Sequence, residues 1–360
     1  MRICFNAFFL QNHLGGIGNY AYHLIREIRR LHPDWQLHLL VHSGTAPGFR
    51  SLEGVNLIVK DIRGRNARLA YFHLVFPFLA RRFDLLHSVG NMGMMFCPIR
   101  QVITIHDLYE QVSPERFHLL KRFLMKFLIA RSGRGAAAIV ADSESTRRDI
   151  GRFYPRLLSK TRVVLLGNKF PVAPGIAAAA GDRRHFVFVG TLEPGKNLAH
   201  LLQAFARLPD RGGHRLKVVG AEGWGQSALP GLLDSLGIRG EVDFLGYIPE
   251  ADLRAIYASS LALVLPSSYE GFGLPVIEAM ACGCPAICAR NSSLVEAGGD
   301  AALFFETGDI AGLAARMGQA MGDPALRGEM VAKGYLHAAR FRWEKTAAET
   351  AAVYGSAGEA

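Results

Sequence analysis

Short apolar runs alternate with amphipathic stretches along almost the whole chain. In the first half, Arg2–Phe9, Gln36–Val41, Val55–Val59, Asp84–Ser88, Gln101–Ile105, Ala137–Ala141 and Arg162–Leu165 are such runs. Their length and their aliphatic and β-branched content predict strands. Helical spacing of apolar positions lies between them, most clearly over Ile17–Leu31 and Arg116–Arg131. The rhythm breaks where Gly167-Asn168-Lys169-Phe170-Pro171 leads into Val172-Ala173-Pro174-Gly175 and an alanine run. Glycine and proline at that density predict a linker, placed at residues 171–184. Strands then resume at His185–Val189, Arg215–Val219, Val242–Leu245, Leu261–Leu265, Ala286–Cys288 and Ala302–Phe305. Helices are expected from about Asn197, Pro249, Gly273, Ile310 and Pro324, and a last one from Trp343 to about Tyr354.

Strands that are apolar throughout and alternate with helices predict parallel sheets covered on both faces. A chain of 360 residues exceeds one ordinary core. The expected fold class is therefore α/β, with two Rossmann-like doubly wound domains, residues 1–170 and 185–340, facing a cleft. Ligands of such sheets sit beyond the carboxyl ends of the strands.

Composition narrows the class. Half the residues are hydrophobic and 20% are charged, which excludes a disordered chain. The apolar start, Ile3-Cys4-Phe5, is too short for a secretory signal and lacks a small-residue cleavage site. The longest apolar stretch, Leu69–Ala80, contains His73 and Pro77 and is too short to span a bilayer. The expected location is the cytoplasm. Cys4, Cys97, Cys282, Cys284 and Cys288 are an odd, sparse set, which suits a reducing compartment. The last three have no fourth ligand nearby and are expected to be buried thiols, with no metal and no cofactor.

Charge is unevenly divided. Residues 1–170 carry 25 Lys and Arg against 11 Asp and Glu, a net of +14, whereas residues 171–360 carry 16 against 20, a net of −4. A basic half implies an anionic partner. The stretch Arg116–Arg131 interleaves Arg116, Lys121, Arg122, Lys126 and Arg131 with aromatic and aliphatic residues, and Ala67–Phe83 is edged by Arg65, Arg68, Arg81 and Arg82. Such stretches suit an anionic membrane surface or, equally, a core helix with a charged outer face. No nucleic-acid motif accompanies the charge.

Four motifs carry candidate chemistry. Gly15-Gly16-Ile17-Gly18 opens a helix after the first strand, where bare backbone and free N–H groups can meet a phosphate. Gly190-Thr191-Leu192-Glu193-Pro194-Gly195-Lys196-Asn197 follows a strand and matches a P-loop except for its last position. Asn197 cannot supply the Mg²⁺-binding hydroxyl. Lys196 is then a cation at a helix start, able to neutralise phosphate, or a solvated lysine. Glu270-Gly271-Phe272-Gly273-Leu274-Pro275-Val276-Ile277-Glu278 places Glu270 in a loop past a strand and Glu278 on the following helix, whose first turn suits Pro275. Two carboxylates there can accept from sugar and ribose hydroxyls, with glycine amides for the phosphates between. His106-Asp107 ends the strand Gln101–Ile105, where a histidine points outward or packs as a cap.

The Glu270…Glu278 element resembles the signature of glycosyltransferase family 4, retaining enzymes of GT-B fold. Gly190–Asn197, Phe244-Leu245-Gly246-Tyr247-Ile248-Pro249, Gly15–Gly18 and Phe341-Arg342-Trp343-Glu344-Lys345-Thr346-Ala347 resemble further family elements. The resemblance implies a nucleotide-sugar donor bound by the second domain. Glu270 contacts the donor sugar and aids catalysis, Glu278 holds the ribose, Lys196 binds the pyrophosphate, and His106 contacts the sugar. Gly16, Thr191, Tyr247, Gly271, Phe272, Gly273 and Leu274 complete the donor site, and residues 341–360 form a helix crossing back to the N-terminal domain. Thr191 stands where many members carry an arginine, which leaves Lys196 alone of that pair. No Asp-x-Asp motif is in place, so transfer is expected to be metal-independent. The Gly190–Pro194 element resembles bacterial mannosyltransferases of surface polysaccharide and lipopolysaccharide synthesis. That implies GDP-mannose as donor and a glycan or polyprenyl-diphosphate-linked acceptor, with peripheral attachment to the inner face of the cytoplasmic membrane. The alternatives are a P-loop-like NTPase and a non-catalytic nucleotide- or polyanion-binding protein.

Overall fold

A computed structural model describes residues 1–10, 15–172, 183–209, 211–223, 225 and 227–356, without the side chain of Arg116. Most of the expected linker, 173–182, lies outside the described residues, as does the role expected of the Arg116 side chain. The chain forms two compact units, Met1–Gly167 with Arg342–Ala360, and Asn168–Phe341.

The first unit is built on strands β1 (Arg2–Asn6), β2 (Gln36–His42), β3 (Val55–Lys60), β4 (Leu85–Ser88), β5 (Arg100–Ile105), β6 (Ala138–Ala141) and β7 (Thr161–Val163). They form one sheet in the order β3-β2-β1-β4-β5-β6-β7, every pair parallel. Ile3, Phe5, Leu37, Leu39, Leu85, Leu86, Ile103 and Ile139 are buried, as strands covered on both faces require. β1 stops at Asn6, three residues short of the sequence expectation. The Asn6 side-chain oxygen accepts from the Phe8 N–H at 3.2 Å and turns the chain out of the sheet. The expected helix from Arg116 starts instead at Leu119 and runs to Gly135, with Pro114–Arg116 a separate short turn. His118 is extended between them and accepts from the Leu120 N–H.

The C-terminal helix Trp343–Ser356 packs within this first unit. His23 stacks on Trp343 with ring centroids 5.1 Å apart. At the other end the Tyr354 hydroxyl meets His87 Nδ1 at 2.6 Å, and His87 Nε2 meets the Thr104 hydroxyl at 2.8 Å. Burial, then the charge of His106, pushes the His87 pKa down to about 3, so this ring is neutral and bridges two hydroxyls.

The second unit holds β8 (His185–Val189), β9 (Arg215–Val219), β10 (Val242–Gly246), β11 (Ala262–Leu265), β12 (Ala286–Ala289) and β13 (Ala302–Phe305). Their order is β10-β9-β8-β11-β12-β13, again all parallel. The chain direction across this sheet reverses between β8 and β11, which pair through Phe186 with Ala262 and Val187 with Leu263. That reversal leaves a crevice beyond the carboxyl ends of the two strands, where neither connection covers the edge. Cys282, Cys284 and Cys288 are buried thiols in this unit, and burial raises the pKa of each.

Candidate active site

The loops that leave β8 and β11 meet at this crevice. After β8 the chain passes Gly190 and Thr191 to a turn at Pro194–Lys196, and the helix Leu198–Ala206 begins after Asn197. After β11 it passes Pro266, Ser267 and Glu270 to Gly273 and enters the helix Leu274–Ala281. Lys196 Nζ lies 2.6 Å from Glu270 Oε1, with both side chains more than four-fifths buried. Ser267 donates to the same carboxylate oxygen at 2.7 Å. Asn197 donates to the Pro266 carbonyl at 2.9 Å, and the Ser268 N–H donates to the Gly195 carbonyl at 2.9 Å. The two loops are thus stitched together by the chain's own contacts.

A third loop fixes Glu270 from behind. Ser292 accepts from the Glu270 N–H at 3.0 Å, and Ser293 donates to the Glu270 carbonyl at 2.8 Å. Asn291 reaches the Ser267 carbonyl at 2.8 Å. Gly273 sits at φ +101°, and a Cβ there would come within 2.9 Å of the buried Leu294 side chain. Glycine is therefore demanded both by conformation and by space.

Glu278 is on the helix behind this loop and is 6% exposed. Its Oε1 lies 3.4 Å from Lys169 Nζ, and its Oε2 accepts from the Tyr257 hydroxyl at 3.2 Å. Burial raises the Glu278 pKa, and Lys169 followed by Tyr257 pulls it back part of the way.

The other expected residues of this unit share the carboxyl edge of the sheet. Thr191 is exposed beside Gly190, and Tyr247 is exposed just past β10. The loop after β9 ties these strand ends together, because Gly220 donates to the Gly246 carbonyl at 2.9 Å and Gly190 to Val219 at 3.0 Å. Gly271 and Leu274 are half-buried in the loop itself. Phe272 turns inward, its ring 5.7 Å from that of Phe341, so only its backbone is available to a ligand. The P-loop reading fails on this geometry, since Asn197 spends its side chain on Pro266 and offers no hydroxyl. Among the described residues no three His, Cys, Asp or Glu side chains converge as a metal site needs.

In the first unit Gly16 is exposed, and a Cβ there would meet nothing within 4 Å. Packing does not demand glycine at that position. His106 differs from the outward-pointing expectation. It is 6% exposed, with Nδ1 at 2.5 Å from Asp142 and Nε2 at 2.7 Å from the Val89 carbonyl. Both nitrogens face acceptors, a setting that favours the doubly protonated imidazolium. Burial works against that charge, but Asp142, the Val89 carbonyl and Asp107 together raise the pKa. The His106 N–H donates to Asn91, and its carbonyl accepts from Thr146. The ring therefore braces the ends of β4, β5 and β6.

Sequence reading missed Lys169, Tyr257, Ser267, Asn291, Ser292 and Ser293. None lies in a recognisable motif. The one available signal was Lys169, a cation where the strand–helix rhythm breaks, with no apolar pattern to serve.

Known proteins place this geometry in a family. The family model described as glycosyl transferases group 1 matches residues 173–337, and the one described as glycosyltransferase family 4 matches residues 14–168. The chain is similar to O-antigen chain mannosyltransferase B of Escherichia coli, at 29% identity over 98% of this chain and 99% of that protein. It is 32% identical to a D-inositol 3-phosphate glycosyltransferase of Streptomyces bingchenggensis (strain BCW-1), over 76% of this chain and 67% of that protein. Among solved structures it is similar to Anabaena HepE in complex with UDP and glucose, with a TM-score of 0.78 at 19% identity, covering 99% and 100% of the two chains. The two parallel-sheet units are those of the GT-B fold.

Proposed function

We propose that this chain, which belongs to the group 1 and family 4 glycosyltransferases, is a retaining, metal-independent mannosyltransferase. It takes mannose from GDP-mannose and passes it to a glycan or polyprenyl-diphosphate-linked acceptor in surface polysaccharide synthesis. The donor assignment rests on the end-to-end likeness to the O-antigen mannosyltransferase. The observation that carries the chemistry is the Lys196–Glu270 pair at the reversal point of the second sheet.

In this reading the donor diphosphate takes the place beside Lys196 Nζ. The bond between the anomeric carbon and the phosphate oxygen breaks, leaving the electron pair and a new negative charge on GDP. Lys196 and the backbone amides of Gly271–Gly273 meet that charge as it develops. Glu270, released from Lys196, accepts from hydroxyls of the sugar while the anomeric carbon is electron-poor. The acceptor hydroxyl adds from the face the phosphate leaves, and its proton goes to the departing phosphate oxygen. Glu278, whose charged form Lys169 favours, accepts from both ribose hydroxyls. Thr191, Tyr247, Phe272 through its backbone, and Leu274 complete the donor pocket. Gly16 leaves room for a phosphate to approach the first unit. His106 is a positioning residue, because its ring is already committed to Asp142 and Val89.

The enzyme works in the cytoplasm, attached peripherally to the inner membrane face. Leu119, Leu120, Phe123 and Phe127 are exposed on the helix that carries Lys121, Arg122 and Lys126. No described helix is long and apolar enough to cross a membrane, so attachment is interfacial.

The test is turnover with GDP-, UDP- and dTDP-sugars, followed by NMR of the product's anomeric configuration without added metal. GDP-mannose should be used, with the α configuration kept. Glu270→Ala and Lys196→Ala should each lower kcat by roughly 10²–10³-fold in folded protein. Full turnover in both variants, or an inverted product, would overturn the assignment.

A further inference from the structure

Two surface features of the first unit lie side by side and serve no step of sugar transfer. One is a hollow of about 290 Å³ between the helix Leu119–Gly135 and the segment after the helix Glu144–Phe153. Lys126, Ala130, Arg134, Phe153, Tyr154 and Arg156 are among its walls, and no carboxylate lines it. None of the three cations has an ion-pair partner among the described residues. Three like charges around one hollow repel each other and lower their energy together by sharing an anion. Two guanidinium forks and an ammonium match the oxygens of a phosphate. The volume is at the small end of ligand sites and suits a headgroup better than a nucleotide.

The other feature is apolar. Leu120, Phe123 and Phe127 on the same helix are 71%, 73% and 52% exposed. At 3.6 residues per turn, Lys126, Ala130 and Arg134 form one stripe of the helix, and Phe123 and Phe127 form the neighbouring stripe. A cationic hollow thus opens beside an uncovered hydrophobic ridge. A free phosphate explains the hollow and leaves the ridge unexplained. A phosphate joined to acyl chains explains both.

We propose that the hollow binds the phosphate headgroup of an anionic phospholipid while Leu120, Phe123 and Phe127 enter the acyl region beside it. The inference rests on the peripheral attachment proposed above and gives it a defined lipid site in place of diffuse charge attraction. The helix then lies in the interface plane, as its two apolar faces allow: Met125, Leu128 and Ile129 pack into the unit, and the ridge faces lipid.

Sedimentation with vesicles of phosphatidylcholine, alone or mixed with phosphatidylglycerol, tests this. The wild-type protein should pellet only with the anionic mixture. Arg134→Gln with Arg156→Gln should lower the partition constant roughly thirtyfold. Arg50→Gln with Arg63→Gln removes the same charge from exposed positions outside the hollow, and should lower it no more than about threefold. Phe123→Ser with Phe127→Ser should abolish pelleting although the hollow is intact. Calorimetry with glycerol 3-phosphate identifies the source: tight binding of this soluble headgroup without vesicle binding would overturn the lipid assignment. Equal losses in the two arginine pairs, with wild-type protein still pelleting, would overturn the hollow and spare membrane attachment. Wild-type protein in the supernatant on every vesicle would refute the attachment itself.

Discussion

Lys169→Met isolates the least expected contact of the candidate site. The substitution keeps the aliphatic stem and removes the charge that faces Glu278 at 3.4 Å. Unit charges at that separation attract by roughly 5 kcal/mol at an effective dielectric constant of about 20. The full loss is not felt, because a buried carboxylate stripped of its cation takes up a proton. Neutralising an ordinary carboxyl group at pH 7 costs about 3–4 kcal/mol, which caps the damage. Lys169→Met should therefore destabilise the fold by about 2–4 kcal/mol at pH 7 and only about 1 kcal/mol at pH 5. The sign follows from burial, which already raises the Glu278 pKa in the wild-type protein. Between the unfolded value and the still higher folded value of the variant, the folded state holds the extra proton, so acidification stabilises it. On the proposed role of Glu278 a functional loss comes with it, since a protonated carboxyl accepts from one ribose hydroxyl less well than a carboxylate accepts from two. Urea unfolding at the two pH values reads the first effect. Calorimetry of GDP against 2′-deoxy-GDP reads the second: preference for the ribose form should fall in Lys169→Met and return in Lys169→Arg. A destabilisation that is the same at pH 5 and pH 7, with ribose preference intact, would refute the electrostatic account.

Three further outcomes follow from the same geometry. Gly273→Ala forces a side chain into φ +101° and against Leu294; it should cost about 2–3 kcal/mol in thermal unfolding and lower kcat by displacing Glu270. Asp142→Asn removes the anion that raises the His106 pKa. In the wild-type protein that contribution is complete below the ordinary histidine value and is lost as pH rises through the raised folded value. The variant should lose about 3 kcal/mol near pH 6 and flatten the decline of stability above it, in denaturant titrations across that range. Tyr354→Phe leaves a His87 nitrogen buried without its 2.6 Å partner and should cost about 1–3 kcal/mol, read as a lower urea midpoint.

The strands were legible because parallel strands buried on both faces are largely apolar, and Leu261–Leu265 and Ala286–Cys288 show it without interruption. Boundaries slipped where a side chain intervened, as Asn6 does after β1 and His118 does before Leu119. That Glu270 and Lys196 stand at strand ends was legible from the glycines beside them, which mark backbone open to close approach. Their partners were not. Lys169 and Glu278 meet through the fold of the second unit, and no spacing rule connects residues that far apart. The direction of His106 was misread for a related reason: a strand end says where the Cα lies, while Asp142 and the Val89 carbonyl decide where the ring turns.

Two unusual backbone positions converge on the Lys196–Glu270 pair. Among the described residues only two that are not glycine adopt positive φ, Asn197 at +51° and Ser292 at +39°. Such conformations are costly for residues with a Cβ and persist where surrounding contacts over-determine them. Asn197 follows Lys196 directly and anchors its turn to Pro266, and Ser292 accepts from the N–H of Glu270. Both strained residues therefore hold the two halves of the same ion pair. A fold that needed only to pack would relieve the strain with glycine at either position. Retaining Asn and Ser there costs about 1–3 kcal/mol each and holds the carboxylate and the ammonium in place, which is the preorganisation that the proposed leaving-group stabilisation would draw on.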